Sequence, residues 1–150
     1  MTDATAFFDT LVRLEIELWN EVDARLHDAD GVTLARYQAL QAVHEHDGRA
    51  RVHEVAQDLG ITIGAASKLV DRLEHDGSAR REPNPNDRRS SLIALTPAGV
   101  RLHEAATATF AAAAEAALPA DLRGDELDAL TRRLDEVRRH LKLRGSEATA

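Results

Sequence analysis

Residues 52–95 read VHEVAQDLGITIGAASKLVDRLEHDGSARREPNPNDRRSSLIAL. Two short segments of helical apolar spacing, about Val52 to Leu59 and Ile63 to His75, flank a tight turn. Gly60 stands where a helix ends in positive φ, and Thr62 offers an oxygen to the free amides that open the next helix. Gly77 stops that second helix. Two short helices joined this way form a helix-turn-helix. The run Pro83-Asn84-Pro85-Asn86-Asp87 marks a turn. Its flanks, Ala79–Glu82 and Arg88–Leu95, read as strands, the second β-rich through Leu92, Ile93 and Leu95. The stretch therefore predicts a helix-turn-helix followed by a β-hairpin with a basic tip.

Outward from this centre the chain is helical. A segment from about Asp3 to Asp28 carries Phe8, Val12, Trp19, Val22 and Leu26 at near-helical spacing, with Phe7, Leu11, Leu14 and Leu18 beside them. That apolar arc is wider than one small core needs, so it predicts burial on two faces, one of them against a partner. Asp28 to Gly31 is a turn. Thr33 caps a second helix with Leu34, Tyr37, Leu40 and Val43 inward, ending near Gly48. After the hairpin, Thr96-Pro97 is a helix start, and an Ala-rich helix runs to about Leu118 before Pro119. A last helix is expected from about Asp121 to Lys142. Its Leu127, Leu130, Leu134, Val137 and Leu141 make an a/d seam flanked by Arg132, Arg133, Arg138 and Arg139. The tail from Gly145 to Ala150 is expected to fray.

The predicted fold is mainly α with a small β-hairpin: a winged helix-turn-helix lobe over residues 33–96, and helices over 1–30 and 97–144 forming a dimerisation lobe, in one unit of 150 residues. Apolar residues are 43% and charged residues 30%, ordinary for a soluble globular chain. Aromatics are only 3%, so Leu, Val, Ile and Ala must build the core. The absence of cysteine excludes disulfides, thiol catalysis and Cys-ligated zinc. No apolar run approaches 18 residues and no secretory signal opens the chain, which predicts a cytoplasmic protein without membrane contact.

The net charge of −7 argues at first against a polyanionic partner. Its distribution matters more. Residues 49–91 hold eight basic and seven acidic side chains, so the acid lies mostly outside the helix-turn-helix and hairpin. Within this stretch the basic residues gather at Arg80-Arg81 and Arg88-Arg89. A local basic surface docks on phosphates whatever the sign of the whole.

The order helix, helix, helix-turn-helix, basic hairpin, helix, helix resembles the MarR family, the multiple-antibiotic-resistance regulators of bacteria. Val55-Ala56 with Asp58-Leu59-Gly60 resembles the family's first motif helix and turn, and Ala65 to Glu74 its recognition helix. Arg80-Arg81 followed by Pro83 to Ser90 resembles its wing, and Leu95-Thr96 with Gly99 the start of its next helix. The resemblance covers nearly the whole chain in segment order and is sharp between Val52 and Gly99. It implies a sequence-specific regulator of transcription that binds double-stranded DNA as a homodimer on a pseudo-palindromic operator, a repressor responsive to a small aromatic or phenolic effector. It also implies dimerisation through the N- and C-terminal helices, and a pair, Asp87 and Arg89, that shapes the wing while an arginine reaches the minor groove.

Independent reasons single out the same residues. The second helix of such a motif enters the major groove, and its N-terminal half meets base edges. Thr62, Ser67 and Lys68 lie there, and the small Gly64 and Ala65 let the backbone approach. Arg72, one turn on, is placed for phosphate. Arg80, Arg81, Asp87, Arg88 and Arg89 complete the candidate DNA-binding set, with Arg88 or Arg89 as the minor-groove residue. Gly77-Ser78-Ala79 lacks the large apolar residue that family members place after this glycine, which predicts a looser hinge between recognition helix and wing. Arg13, Trp19, Arg36 and Tyr37 are candidates for an effector pocket.

Other readings stand beside these. A winged helix also serves as a protein-interaction module without DNA binding. His44, His46 and His53 suggest a metal cluster, yet His44 and His46 lie two apart on a helix and so face different ways, and no metal or cofactor is expected. No G-x-S-x-G, H-E-x-x-H or P-loop pattern occurs, so no catalysis is expected.

Overall fold

The computed structural model describes residues 3–147. Six helices and one hairpin follow in order: α1 (Ala4–Asp30), α2 (Leu34–Glu45), α3 (Val52–Leu59), α4 (Ile63–His75), β1 (Ala79–Pro83), β2 (Ser91–Leu95), α5 (Pro97–Ala116) and α6 (Asp125–Glu147). They fall into two compact units, residues 1–117 and 118–150.

Local signals set the helix boundaries in the first unit. Asp3 caps α1, accepting from the Ala6 amide at 2.8 Å, and Gly31 ends it at φ 65°. Thr33, Thr62 and Thr96 cap α2, α4 and α5, each through its side-chain oxygen. Gly60 closes α3 in the left-handed region. Each threonine satisfies an amide that the helix cannot reach by itself.

The core lies under α2. That helix packs against α1, α3, α4, α5 and β2, and its Ala39, Leu40, Ala42 and Val43 are fully enclosed. Leu26, Val55, Val70, Leu73 and Ile93 meet them from the other elements. In α4 the buried residues are Ala66, Val70 and Leu73, spaced to put one face inward and leave the other outward. The hairpin pairs Ala79 with Leu95 through to Pro83 with Ser91, antiparallel. A further strand residue joins it: the Ile93 amide donates to the Ala50 carbonyl at 2.7 Å. This bridge ties the hairpin to the segment before α3, and no strand was expected there because one residue carries no periodicity.

Along α1 only Val22 and Leu26 are buried. Phe8 is 63% exposed, and Phe7, Val12, Leu14 and Ile16 are open as well. One of the two expected faces is covered within the chain, against α5. The other is not.

The second unit differs from expectation at its start. Helix α6 begins at Asp125 rather than near Asp121. Residues before it make a turn in which the Leu122 amide donates to the Pro119 carbonyl, and Gly124 takes φ +55°. A left-handed residue interrupts a helix, so α6 starts only after it. The helix carries Arg133–Glu136 and Arg138–Asp135 ion pairs one turn apart, and Leu130, Val137 and Leu141 stand exposed. It continues through Gly145 to Glu147, beyond the point where fraying was expected. The rest of that tail, residues 148–150, lies outside the described residues, as do Met1 and Thr2.

Candidate nucleic-acid interface

The first turn of α4 is outward and almost free of polar side chains. Ile63, Gly64 and Ala65 are exposed there. Thr62 is committed by its hydroxyl oxygen to the Ala65 amide, at 3.2 Å. No atom stands within 4 Å of the place a Cβ on Gly64 would take, so the backbone is open to approach. Ser67 is half-buried and Lys68 exposed one turn further on, followed by exposed Arg72.

The basic residues divide into two groups. Arg80 pairs with Glu82 at 2.6 Å and donates to the Leu95 carbonyl. Arg81 reaches Asp71 and Glu74 of α4, both at 2.7 Å. Arg51 hydrogen-bonds Glu54 and holds that carboxyl down at about 2, so its charge is spent on the start of α3. In contrast, Lys68, Arg72, Arg88 and Arg89 form no ion pair among the described residues. Arg80 and Arg81, expected to meet DNA, are thus engaged in internal pairs, whereas the outer face of α4 and the hairpin tip carry cations without ion pairs, as does exposed Arg49 before α3.

That tip is shaped by hydrogen bonds to backbone. Asn84, 8% exposed, donates from Nδ2 to Ser90 Oγ at 2.9 Å and accepts the Asn86 amide on Oδ1. Asp87 accepts the Arg89 amide on Oδ1 at 2.9 Å, and its carbonyl takes the Ser90 amide. The Asp87–Arg89 pair implied by the resemblance therefore works through the Arg89 backbone, leaving the Arg89 guanidinium outward. Asp87 is a wing-shaping residue in this geometry. Asn84 and Ser90 were missed as wing organisers, although an Asn before a Pro is a recognised turn signal.

The loose hinge expected from Gly77-Ser78-Ala79 is not found. Ser78 and Ala79 are 5% and 3% exposed. The Ser78 amide donates to the Leu73 carbonyl at 2.8 Å, Thr96 Oγ1 donates to the Gly77 carbonyl at 2.6 Å, and the Thr96 amide to the Ser78 carbonyl at 3.0 Å. Small residues stand here because the start of α5 lies directly on the hinge: a Cβ on Gly99 would come 1.8 Å from the Ser78 oxygen.

The four expected pocket residues sit in different surroundings. Tyr37 lines a cavity of about 360 Å³ with Gln41, Glu45, Asp58 and Phe110, stacking on the Phe110 ring at 5.0 Å. Trp19 lines a separate recess with Glu15, Ile16 and Asn20. Arg36 is bound to Asp76 at the end of α4. Arg13 is exposed. Arg36 is held away because it closes α2 onto the recognition helix. The histidines likewise scatter: His46 meets Asp58 at 2.8 Å, and His44 stacks on buried His103 at 4.2 Å.

A model described as the MarR family matches residues 30–90, the segment that holds α2, both helices of the motif and the wing tip. Over that segment the chain is similar to the MarR family. The multiple antibiotic resistance protein MarR of Salmonella typhimurium is 41% identical to this chain over 51 residues, 34% of the chain and 35% of that relative. The chain thus aligns with about a third of the length of the curated relatives it matches first. Among solved structures, a mutant MarR from Escherichia coli complexed with operator DNA is 26% identical, with a TM-score of 0.74 over 91% of this chain and 99% of that one. CouR from Rhodococcus jostii, bound to p-coumaroyl-CoA, is 26% identical, with a TM-score of 0.73 over 93% and 92%. No described helix is long and apolar enough to cross a membrane.

Proposed function

We propose that this chain is a MarR-family, sequence-specific, double-stranded-DNA-binding regulator of transcription that acts as a homodimer. The observation that carries the reading is the sorting of cations: Lys68 and Arg72 on α4, and Arg88 and Arg89 on the wing, stand exposed without ion pairs among the described residues, while Arg51, Arg80 and Arg81 are spent on internal pairs. Helix α4 enters the major groove with Thr62, Gly64, Ala65, Ser67 and Lys68 toward the bases. Arg72 meets phosphate, and Arg88 or Arg89 enters the minor groove. Arg80, Arg81 and Asp87 hold the wing in place. Similarity to the operator-bound MarR supports the DNA partner.

The uncovered faces of α1 and α6 are covered by a second copy, so residues 1–30 and 97–144 form the dimerisation lobe. Two heads then address two half-sites about one helical turn apart. A small aromatic effector in the Tyr37–Phe110 cavity relieves repression by favouring one spacing of the heads over the other. The p-coumaroyl-CoA complex of CouR supports that class of ligand. The test is selection of bound duplexes from a random pool. The expected result is a pseudo-palindrome with half-sites spaced by about one turn. Enrichment of no duplex would overturn the reading in favour of a protein-interaction module.

A further inference from the structure

The first helical residue of α4, Ile63, is 57% exposed, although it is one of the larger apolar side chains of the head. Ile61, two residues earlier and 37% exposed, stands before the cap, where an apolar residue can staple back onto the helix. Ile63 has no such position. Nor does helix propensity account for it, since a β-branched residue is a poorer helix former than alanine. Its neighbours sharpen the oddity. Gly64 and Ala65 are small, and the Thr62 oxygen is taken by the cap. The leading edge of the helix therefore offers methyl groups, with the first charged side chain at Lys68.

In the major groove the 5-methyl of thymine is the apolar feature that marks one base pair from another, and apolar side chains read it. From this match we infer that Ile63 is a specificity-determining residue that packs on thymine methyl groups, so that each half-site carries thymine opposite the start of α4. The inference rests on the DNA-binding reading and adds to it the base being read. It distinguishes T·A from C·G by a contact, not a hydrogen bond: cytosine presents an amino donor there and no methyl.

The experiment uses the full chain and the duplex enriched from the random pool. Thymines of each half-site are replaced one at a time by deoxyuridine, which removes the methyl and keeps the pairing edge. Wild-type affinity is expected to fall about fourfold at a contacted position, the effect of one methyl-sized group. Ile63→Ala, a change at an exposed site, is expected to bind the thymine and uracil duplexes equally, and Ile63→Val to retain part of the difference. Equal wild-type affinity for both duplexes at every position overturns the inference, as does a half-site without thymine, or an Ile63→Ala protein as sensitive as wild type. In each of these cases duplex binding persists, whereas failure of the DNA-binding reading shows as no wild-type binding to any duplex.

Discussion

Arg81 of β1 joins two carboxylates of the recognition helix, Asp71 and Glu74, each at 2.7 Å. The wing and the helix are thereby held as one body, and the angle between them is fixed by a side chain that is itself 29% exposed. Under the proposed function, a cation so engaged serves DNA binding through geometry. Arg81→Gln should lower duplex affinity several-fold while leaving the salt dependence as in wild type, because no phosphate contact is lost. The loss of stability should stay near 1 kcal/mol, since all three partners keep some contact with water. Duplex titrations at several salt concentrations check this, and a shallower slope would make Arg81 a phosphate contact after all.

Gly99 is required by contact. Alanine there would set its Cβ 1.8 Å from the Ser78 oxygen, so the start of α5 or the hinge must move. Gly99→Ala is expected to destabilise by about 2 kcal/mol or more. Gly64→Ala, with open space around it, should be neutral or stabilising by up to about 1 kcal/mol. Denaturant midpoints of the two variants give the comparison, and equal midpoints would contradict it.

Much of this was readable from short-range signals. Thr62 with Gly60, Thr96 with Pro97, and the Pro-Asn turn each act within about four residues, so the helices, the hairpin and their order follow from local chemistry. The sites depend more on distance. That Arg81 meets Asp71 depends on the hairpin's register against α4, which no local pattern specifies. The hinge looked loose because Gly77-Ser78-Ala79 is small, and only the placement of α5 over it explains why small residues are needed. Ala50 joins the sheet through one bond, too little to leave a pattern. Tyr37 and Trp19, expected with Arg13 and Arg36 at one effector pocket, lie in separate recesses because α2 and α1 turn them different ways.

His103 makes stability depend on pH. It is 6% exposed, donates from Nε2 to Gln41 Oε1 at 2.6 Å, and leaves Nδ1 buried without a partner. Burial, and then the charge of His44, lower its pKa from the ordinary imidazole value, against the opposing pull of Glu104 and Glu45. The unfolded chain therefore takes up a proton that the fold resists. Stability from this group is complete above about pH 6.5 and is lost progressively as pH falls below it. His103→Gln should show a flatter decline in denaturant midpoint between about pH 7 and pH 5. An unchanged decline would place the acid sensitivity elsewhere.

The open face of α1 gives a prediction for assembly. Phe8 and Ile16 are 63% and 51% exposed, and a second copy is proposed to cover them. Phe8→Glu with Ile16→Glu should yield a monomer by sedimentation. Duplex affinity should fall by about a hundredfold or more, since the second head then binds without the gain of being tethered. A dimer that survives both changes would show that α1 is not part of the interface.

Neutralisation of phosphates by the unpaired cations on α4 and the wing is what the proposed function requires of this surface. It is tested most directly by duplex binding as a function of salt, for the wild-type chain and for Arg88→Ala with Arg89→Ala. Wild-type binding should be tight at low salt, with a linear fall of log affinity with log salt and a slope smaller in the variant by about 0.9 for each phosphate contact removed. Absence of wild-type binding at low salt, or a variant with the wild-type slope and affinity, would contradict it.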